Sequence, residues 1–344
     1  MEENYLVARR KAILLTGGAI KVSTDFRPPF PLSRSTAGPG AGTHSMVFCF
    51  DGTRVKKTIS THEGDFELVK SGDRYLIMHN NEILTNNVTF QPTIYHAPEQ
   101  AFFNLSTNCI YSCKFCTSPR LDKRITKSLD SDRIVDMILT SYHRGGLKAV
   151  ALTSAVESSP QKTVDRMIEI VKRVRKELPT MPIGVEPYVD CLEQIDSLRE
   201  AGADEIKLNI ETYDREIFDK VCGELDFDWI LEAIAYAAKV FGHGKVTSNV
   251  ILGMGETDEK LLEGIEALAM RGCVATLRPI RLNDMNREAM EEALGRPDPI
   301  SPDRLLRLAR SHKEILKRYD LDTRSINTMC HECGCCDVVP FRDL

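Results

Sequence analysis

The chain has 344 residues, 42% hydrophobic and 28% charged, with a formal net charge of -5 at pH 7, which is material for one large domain plus a smaller one with ample core. The mild negative charge and the lack of long single-sign runs argue against nucleic acid or an anionic membrane as a partner. The N-terminal apolar stretch is too short for a signal sequence, and no window approaches the ~18 apolar residues of a membrane span, so the expected location is cytoplasmic.

The first hundred residues contain short aromatic and β-branched runs, "SMVFCF", "DFELV" and "RYLIM", divided by the turn signals "DGT", "SGD" and "NNE". They predict a small, mostly antiparallel β-rich unit over residues 1–96. "TAGPGAG", Thr36 to Gly42, resembles a phosphate-binding loop but lacks the Lys-Ser/Thr that should follow, so it is read as a flexible loop. The unit carries no motif tied to chemistry; capping the larger domain and docking a protein-borne substrate are both open to it.

From about Ala101 strands and helices alternate. "FFNLS" precedes a cysteine loop, and "DSDRIVDMILTSYHRGG" places Ile134, Met137, Ile138 and Tyr142 on one helical face, opened by Asp130 or Ser131 and closed by Gly145. "KAVALTS" leads to a helix with Val164, Met167, Ile168, Val171 and Val174. "PIGVEP", a helix ending at Gly202, "DEIKLNIE", a helix around Trp229 and Ile234, "VTSNVILG", a helix with Leu261, Ile265 and Leu268, and "CVATLRP" complete six strands. The predicted fold class is α/β: a partial (βα)6 TIM-like barrel over 97–300, with its reactive face at the C-terminal strand ends. A further helix starts at Ser301 and Pro302, and a cysteine-rich tail completes the segment 301–344.

Seven of the eleven cysteines fall in two clusters, Cys109, Cys113 and Cys116, and Cys330, Cys333, Cys335 and Cys336. A disulfide framework is not expected in a reducing compartment. Cys49, Cys191, Cys222 and Cys273 read as small buried hydrophobes. The first cluster lies just past the first strand of the alternation, on the expected reactive face. Thiolates are natural ligands of iron-sulfur clusters, and three of them leave one iron of a four-iron cubane open. Structural zinc, the other use of such spacing, wants four ligands.

The spacing CxxxCxxC, with aromatic Phe115 before the third cysteine, resembles the radical S-adenosylmethionine (SAM) superfamily, and further stretches resemble its biotin and lipoyl synthase branch. The resemblance covers roughly residues 100 to 282. It implies a 4Fe-4S cluster on Cys109, Cys113 and Cys116, whose open iron chelates SAM and whose electron cleaves it to methionine and a 5′-deoxyadenosyl radical, with ferredoxin or flavodoxin as electron donor. It also implies SAM contacts: Thr153, Ser154 and Glu157 near the amino group, Asn209 and Glu211 at the ribose, and Ile251 against adenine beside the turn of Gly253, Gly255 and Glu256. Each of these residues also fits ordinary strand-end and turn structure.

The departures narrow the chemistry. Thr247 stands where biotin synthases keep a cysteine for their sacrificial cluster, which disfavours biotin synthesis. Residues 1–108 contain only Cys49 and the chain closes on "VVPFRDL", so the sulfur-donating cluster of bacterial lipoyl synthases cannot be built in the same way. "CHECGCC" offers four thiolates in seven residues around Gly334. A second iron-sulfur cluster is the leading reading, with zinc, a single iron or an exposed redox thiol tail as alternatives. His331 is read as a neighbour and not a ligand.

The leading function is lipoyl synthase-like sulfur insertion into a small-molecule or protein-bound acyl substrate, as in the archaeal, split type of lipoyl synthase. It requires the tail to fold back over the barrel mouth. Arg278 and Arg281 are candidates for holding a substrate carboxylate, surface ion pairing being their other use. The alternatives are a radical SAM enzyme that builds, rearranges or methylates a small cofactor, and a non-catalytic metal-binding adaptor.

Overall fold

The structure, a computed structural model, describes residues 2–32, 44–121, 129–296 and 299–344. The glycine-rich stretch Thr36 to Gly42 lies outside them. Helix α1 (Glu2–Thr16) precedes six strands, β1 (Ile20–Lys21), β2 (Ser45–Phe50), β3 (Thr53–Ser60), β4 (Phe66–Ser71), β5 (Arg74–His79) and β6 (Glu82–Gln91). These close into a barrel in the order β1-β3-β2-β6-β5-β4. The short β1 makes closure possible, pairing in parallel with both β3 and β4 through Ile20 against Ile59 and Phe66.

Sequence reading did not anticipate α1. Its buried stripe is Ala8, Lys11, Ala12 and Leu15, and the lysine inside it hides the helical period. Lys11 is tolerated there because its Nζ donates to Gly334 O at 2.6 Å and to Asp343 Oδ2 at 2.7 Å, partners that lie more than 320 residues away in sequence. The inward side of β3 also carries a lysine: Lys57 Nζ donates to Leu14 O and Gly17 O, both at 2.6 Å, and so caps the C-terminus of α1.

The second part alternates β7 (Gln100–Asn104), α2 (Ser131–His143), β8 (Ala149–Thr153), α3 (Pro160–Glu177), β9 (Ile183–Glu186), α4 (Leu192–Glu200), β10 (Glu205–Lys207), α5 (Arg215–Cys222), α6 (Phe227–Phe241), β11 (Val246–Leu252), α7 (Asp258–Met270) and β12 (Cys273–Pro279). The six strands form one parallel sheet in sequential order, with Gln100 opposite Ala149, Val150 opposite Ile183 and Val246 opposite Cys273. All six C-terminal ends therefore share one edge. Helices α8 (Arg287–Leu294), α9 (Pro302–Arg318) and α10 (Met329–Cys333) follow.

Local chemistry sets the helix starts. Asp130, Ser159, Asp214, Asp226, Thr257 and Ser301 each cap a helix with a side-chain oxygen that accepts from the first turn, and Pro160 and Pro302 occupy the first helical position. On α2 the buried face is Ile134, Val135, Ile138 and Ser141. Tyr142, expected on that face, is 46% exposed. Cys222 and Cys273 are buried as expected, whereas Cys49 and Cys191 are half-buried. Among the described residues no helix is long and apolar enough to cross a membrane.

Candidate active site at the strand ends

The loop bearing Cys109, Cys113 and Cys116 leaves β7 and is fixed from several sides. Ile110 N donates to Val156 O and Lys114 N to Val221 O, both at 2.8 Å. Arg120 reaches back to Cys113 O and Cys116 O at 2.9 and 2.6 Å. Asn286, fully buried, donates from Nδ2 to Phe115 O at 2.8 Å and accepts from Asn283 N at 2.8 Å. Sequence reading missed Asn286; the dense polar turn "NDMN" before α8 was the available signal.

Burial, and the charges of Cys113 and Cys109, push the Cys116 thiol up to about 11. Burial raises Cys109 as well, against the pull of neighbouring backbone N–H groups. Cys222 on α5 hydrogen-bonds to Cys113 and is raised by that contact and by burial. A charge on Cys113 opposes ionisation of both Cys109 and Cys116, a repulsion that a bound metal cluster relieves. Among the described residues no three His, Cys, Asp or Glu side chains are already drawn together as a metal site. The fit to an iron-sulfur cluster therefore rests on the donor set, which suits it: soft thiols on a fixed loop at the edge of a cavity.

That cavity, of about 310 Å³, opens at the C-terminal strand ends. Its walls include Phe115 and Cys116, Thr153 from β8, Glu186 from β9, Lys207, Asn209 and Glu211 on and after β10, Asn249 and Ile251 from β11, and Arg278 and Arg281. Cys330, Cys333, Cys335 and Cys336 line it too, so the tail folds back over the strand ends. Cys109, Cys113, Ser154 and Glu157 are not among its lining residues. Ser154 Oγ turns to Ala155 O, and Glu157 is exposed and accepts from Asn108 Nδ2 at 3.3 Å. Glu256 is committed to its own turn, accepting from Gly253 N and Met254 N at 2.9 and 2.8 Å and from Arg304 at 3.2 Å.

The polar floor is a charge network that sequence reading saw only in part. Glu186 Oε1 accepts from Asn209 Nδ2 at 2.8 Å and pairs with Lys207 Nζ at 3.2 Å. Burial works against its carboxylate, but Lys207, Asn209 and Arg278 outweigh it and hold the pKa below the usual range. Glu211 sits in the left-handed region, at φ 62°, where the backbone rejoins Val250 after a break in β10. Burial and the Glu186 charge push its carboxyl up to about 8, although Lys207 and Arg278 pull the other way.

Arg278 is not a free cation. Its Nη2 donates to Cys330 Sγ at 2.6 Å, and Lys207 Nζ reaches the same sulfur at 3.3 Å. Burial raises the Cys330 thiol while these two cations draw it down. Cys335 donates to Cys333 and, with Arg54 and Lys56, outweighs burial and brings Cys333 down to about 7; Cys335, buried beside that charge, is held well up. Four thiols among Arg54, Lys56, Lys207 and Arg278 form an electropositive thiol nest suited to an anionic thiolate-ligated cluster. His331 is not among the lining residues; its Nε2 lies 3.2 Å from Thr276 Oγ1, and burial keeps the ring neutral.

The tail is held from both parts of the molecule. Glu205 accepts from Asn327 N and Thr328 N, both at 2.9 Å, and from Thr328 Oγ1 at 2.6 Å. Gln100 brackets Met329, accepting from its N at 2.7 Å and donating to its O at 3.0 Å. From β3, Arg54 donates to Cys333 O and Glu332 O at 2.6 and 2.8 Å, while Lys56 N donates to Cys335 O at 3.0 Å. The N-terminal barrel is thus a roof whose β2–β3 face presses the cysteine segment onto the sheet.

Residues 103–268 match the family model described as the Radical SAM superfamily. These residues are a radical SAM domain. Lipoyl synthase from Histophilus somni is 23% identical over 183 residues, covering 50% of this chain and 53% of that protein. Biotin synthase from Campylobacter concisus is 27% identical over 213 residues, covering 61% and 72%. The chain thus spans about half the length of the lipoyl synthase. The solved structure of methylornithine synthase (PylB) is 20% identical with a TM-score of 0.51 over 62% of both chains, a shared fold. The radical SAM domain ends ten residues before Arg278 and excludes both roof and tail.

Proposed function

We propose that the protein is a radical SAM enzyme that inserts sulfur at an unactivated carbon. In this reading residues 97–300 form a partial (βα)6 TIM-like barrel, residues 1–96 its roof and residues 301–344 a metal-binding tail, and the enzyme works in the cytoplasm with ferredoxin or flavodoxin as reductant. A 4Fe-4S cluster on Cys109, Cys113 and Cys116, when bound, would supply the electron that cleaves SAM to a 5′-deoxyadenosyl radical. A second cluster on the tail cysteines would supply the sulfur. The single observation that carries the reading is that Cys116 and all four tail cysteines line one cavity, which puts a sulfur source within reach of a radical site.

The chain's own residues would bind and orient. Thr153 at the end of β8 offers a hydroxyl to the SAM amino group, and Asn209 is already oriented by Glu186 and by Asn249 N at 3.1 Å. Ile251 gives adenine an apolar face. Glu211 accepts from both ribose hydroxyls only when ionised. Because its carboxyl titrates near 8, it is mostly protonated at pH 7, and SAM binding will expel a proton. Calorimetry at pH 7 in buffers of different ionisation enthalpy should register close to ~1 proton released; SAM affinity should rise with pH up to about 8. Glu211→Gln should abolish the release; a wild-type titration indifferent to buffer would remove Glu211 from this role.

Function itself is tested by incubating the reconstituted protein anaerobically with SAM, dithionite and octanoate or octanamide, then measuring 5′-deoxyadenosine and remaining acid-labile sulfide. Sulfur insertion forms the nucleoside and lowers the sulfide. Nucleoside formed at constant sulfide would transfer the reading to cofactor rearrangement or methylation, and no nucleoside at all would end the radical reading.

A further inference from the structure

The cavity contains polar groups, Ser45, Thr58 and Arg281, that neither SAM nor a tail cluster accounts for. On β2 and β3 alternate residues face opposite ways. Met46, Phe48, Phe50 and Val55 enter the barrel core, while Ser45, Lys56 and Thr58 line the cavity. Strand register sets Ser45 directly opposite Thr58 and Val47 opposite Lys56, so two hydroxyls and an ammonium share one patch. Arg281 joins them from the far wall.

Arg281 has no ion pair or side-chain hydrogen bond among the described residues, in contrast to Arg278. It lies near enough to Lys56 and Lys57 to depress both, adding to the burial that brings Lys57 to about 7. Ser45 Oγ is buried without a partner. Lys56 Nζ spends one proton on His96 O at 2.7 Å and faces the tail thiols Cys333, Cys335 and Cys336, with two protons left to share between them and a bound anion. Buried positive charge and unpartnered donors are unfavourable unless an anion completes them. Beside them Ala97, Phe102, Ile280 and Met329 give the cavity an apolar wall.

We propose that Arg281, Lys56, Ser45 and Thr58 form an oxyanion-binding subsite, and that the substrate is a free small molecule with a carboxylate or phosphate at one end of a short apolar segment. The inference rests on the radical SAM reading of the cavity and narrows it. An acyl chain joined to a protein through an amide has no charge for this subsite, so the substrate is the free acid or phosphate ester. The N-terminal barrel acquires a role in choosing the substrate, beyond roofing the tail.

The test is calorimetric binding of octanoate, octyl phosphate and octanamide to the SAM-loaded holoenzyme, with 5′-deoxyadenosine formation under dithionite measured on the same batch. One or both anions should bind at least ~10-fold tighter than octanamide, the effect of a charge-assisted contact; the tighter of the two identifies the oxyanion. Arg281→Met should erase the preference. Ser45→Ala, which removes a hydroxyl that has no partner, should weaken anion binding several-fold without disturbing the fold. Equal binding of all three probes, or a preference untouched by both variants, overturns the subsite. If SAM is still cleaved in that case, the subsite alone has failed; if SAM is not cleaved, the radical reading has failed with it.

Discussion

Replacing Cys109, Cys113 and Cys116 together by alanine will lower the iron content of the anaerobically reconstituted protein from about eight to about four per chain and abolish SAM cleavage. The argument is topological. The two cysteine groups are held by separate scaffolds: the first by the loop contacts of Arg120 and Asn286, the second by Glu205, Gln100 and Arg54. Emptying one site leaves the supports of the other in place. Mössbauer spectra of the two proteins distinguish the outcomes. A fall from about four irons to none would leave the tail without a cluster and remove the sulfur source. A fall from about five to one would mark a single-iron tail site with the same consequence for sulfur insertion.

Glu205→Ala will cost about 3–5 kcal/mol and release the tail. The carboxylate is almost fully buried, pairs with Lys245 Nζ at 3.0 Å and receives three hydrogen bonds from Asn327 and Thr328. Its removal strands two backbone donors and the Thr328 hydroxyl at the base of α10, each carrying its desolvation cost, while Lys245 keeps Ser325 O at 2.6 Å. Residues 326–336 should lose hydrogen-exchange protection first, and the reconstituted variant should lose tail metal while keeping the iron of the Cys109 loop. Glu205→Gln keeps the shape and one acceptor and should cost less. Unchanged protection over 326–336 in the alanine variant would show that the tail is held without this carboxylate.

The six-strand alternation was legible because each element is coded locally: a capping residue, an apolar period, a glycine or proline stop. Cys109, Cys113 and Cys116 stand out in the sequence because three thiols at that spacing have few other uses, and the structure sets all three on one loop after β7. Lys11 and Glu205 were not legible as anchors, since a charged residue in a helix stripe or at a strand start reads as exposed until its partner, hundreds of residues or more than a hundred residues away, is placed. Arg278 and Arg281 looked alike in "LRPIRL", yet one faces a sulfur and the other does not.

The sequence by itself determined the parallel α/β alternation and the two clusters of thiols, because these depend on periodicity and residue type within short windows. Tertiary structure alone decided that the tail cysteines and Cys116 share one cavity, that Arg278 is occupied and Arg281 free of an ion pair among the described residues, and that a barrel outside the radical SAM domain roofs the site. Those are facts of long-range burial: a charge is silent in sequence until folding removes water from it and chooses what, if anything, replaces that water.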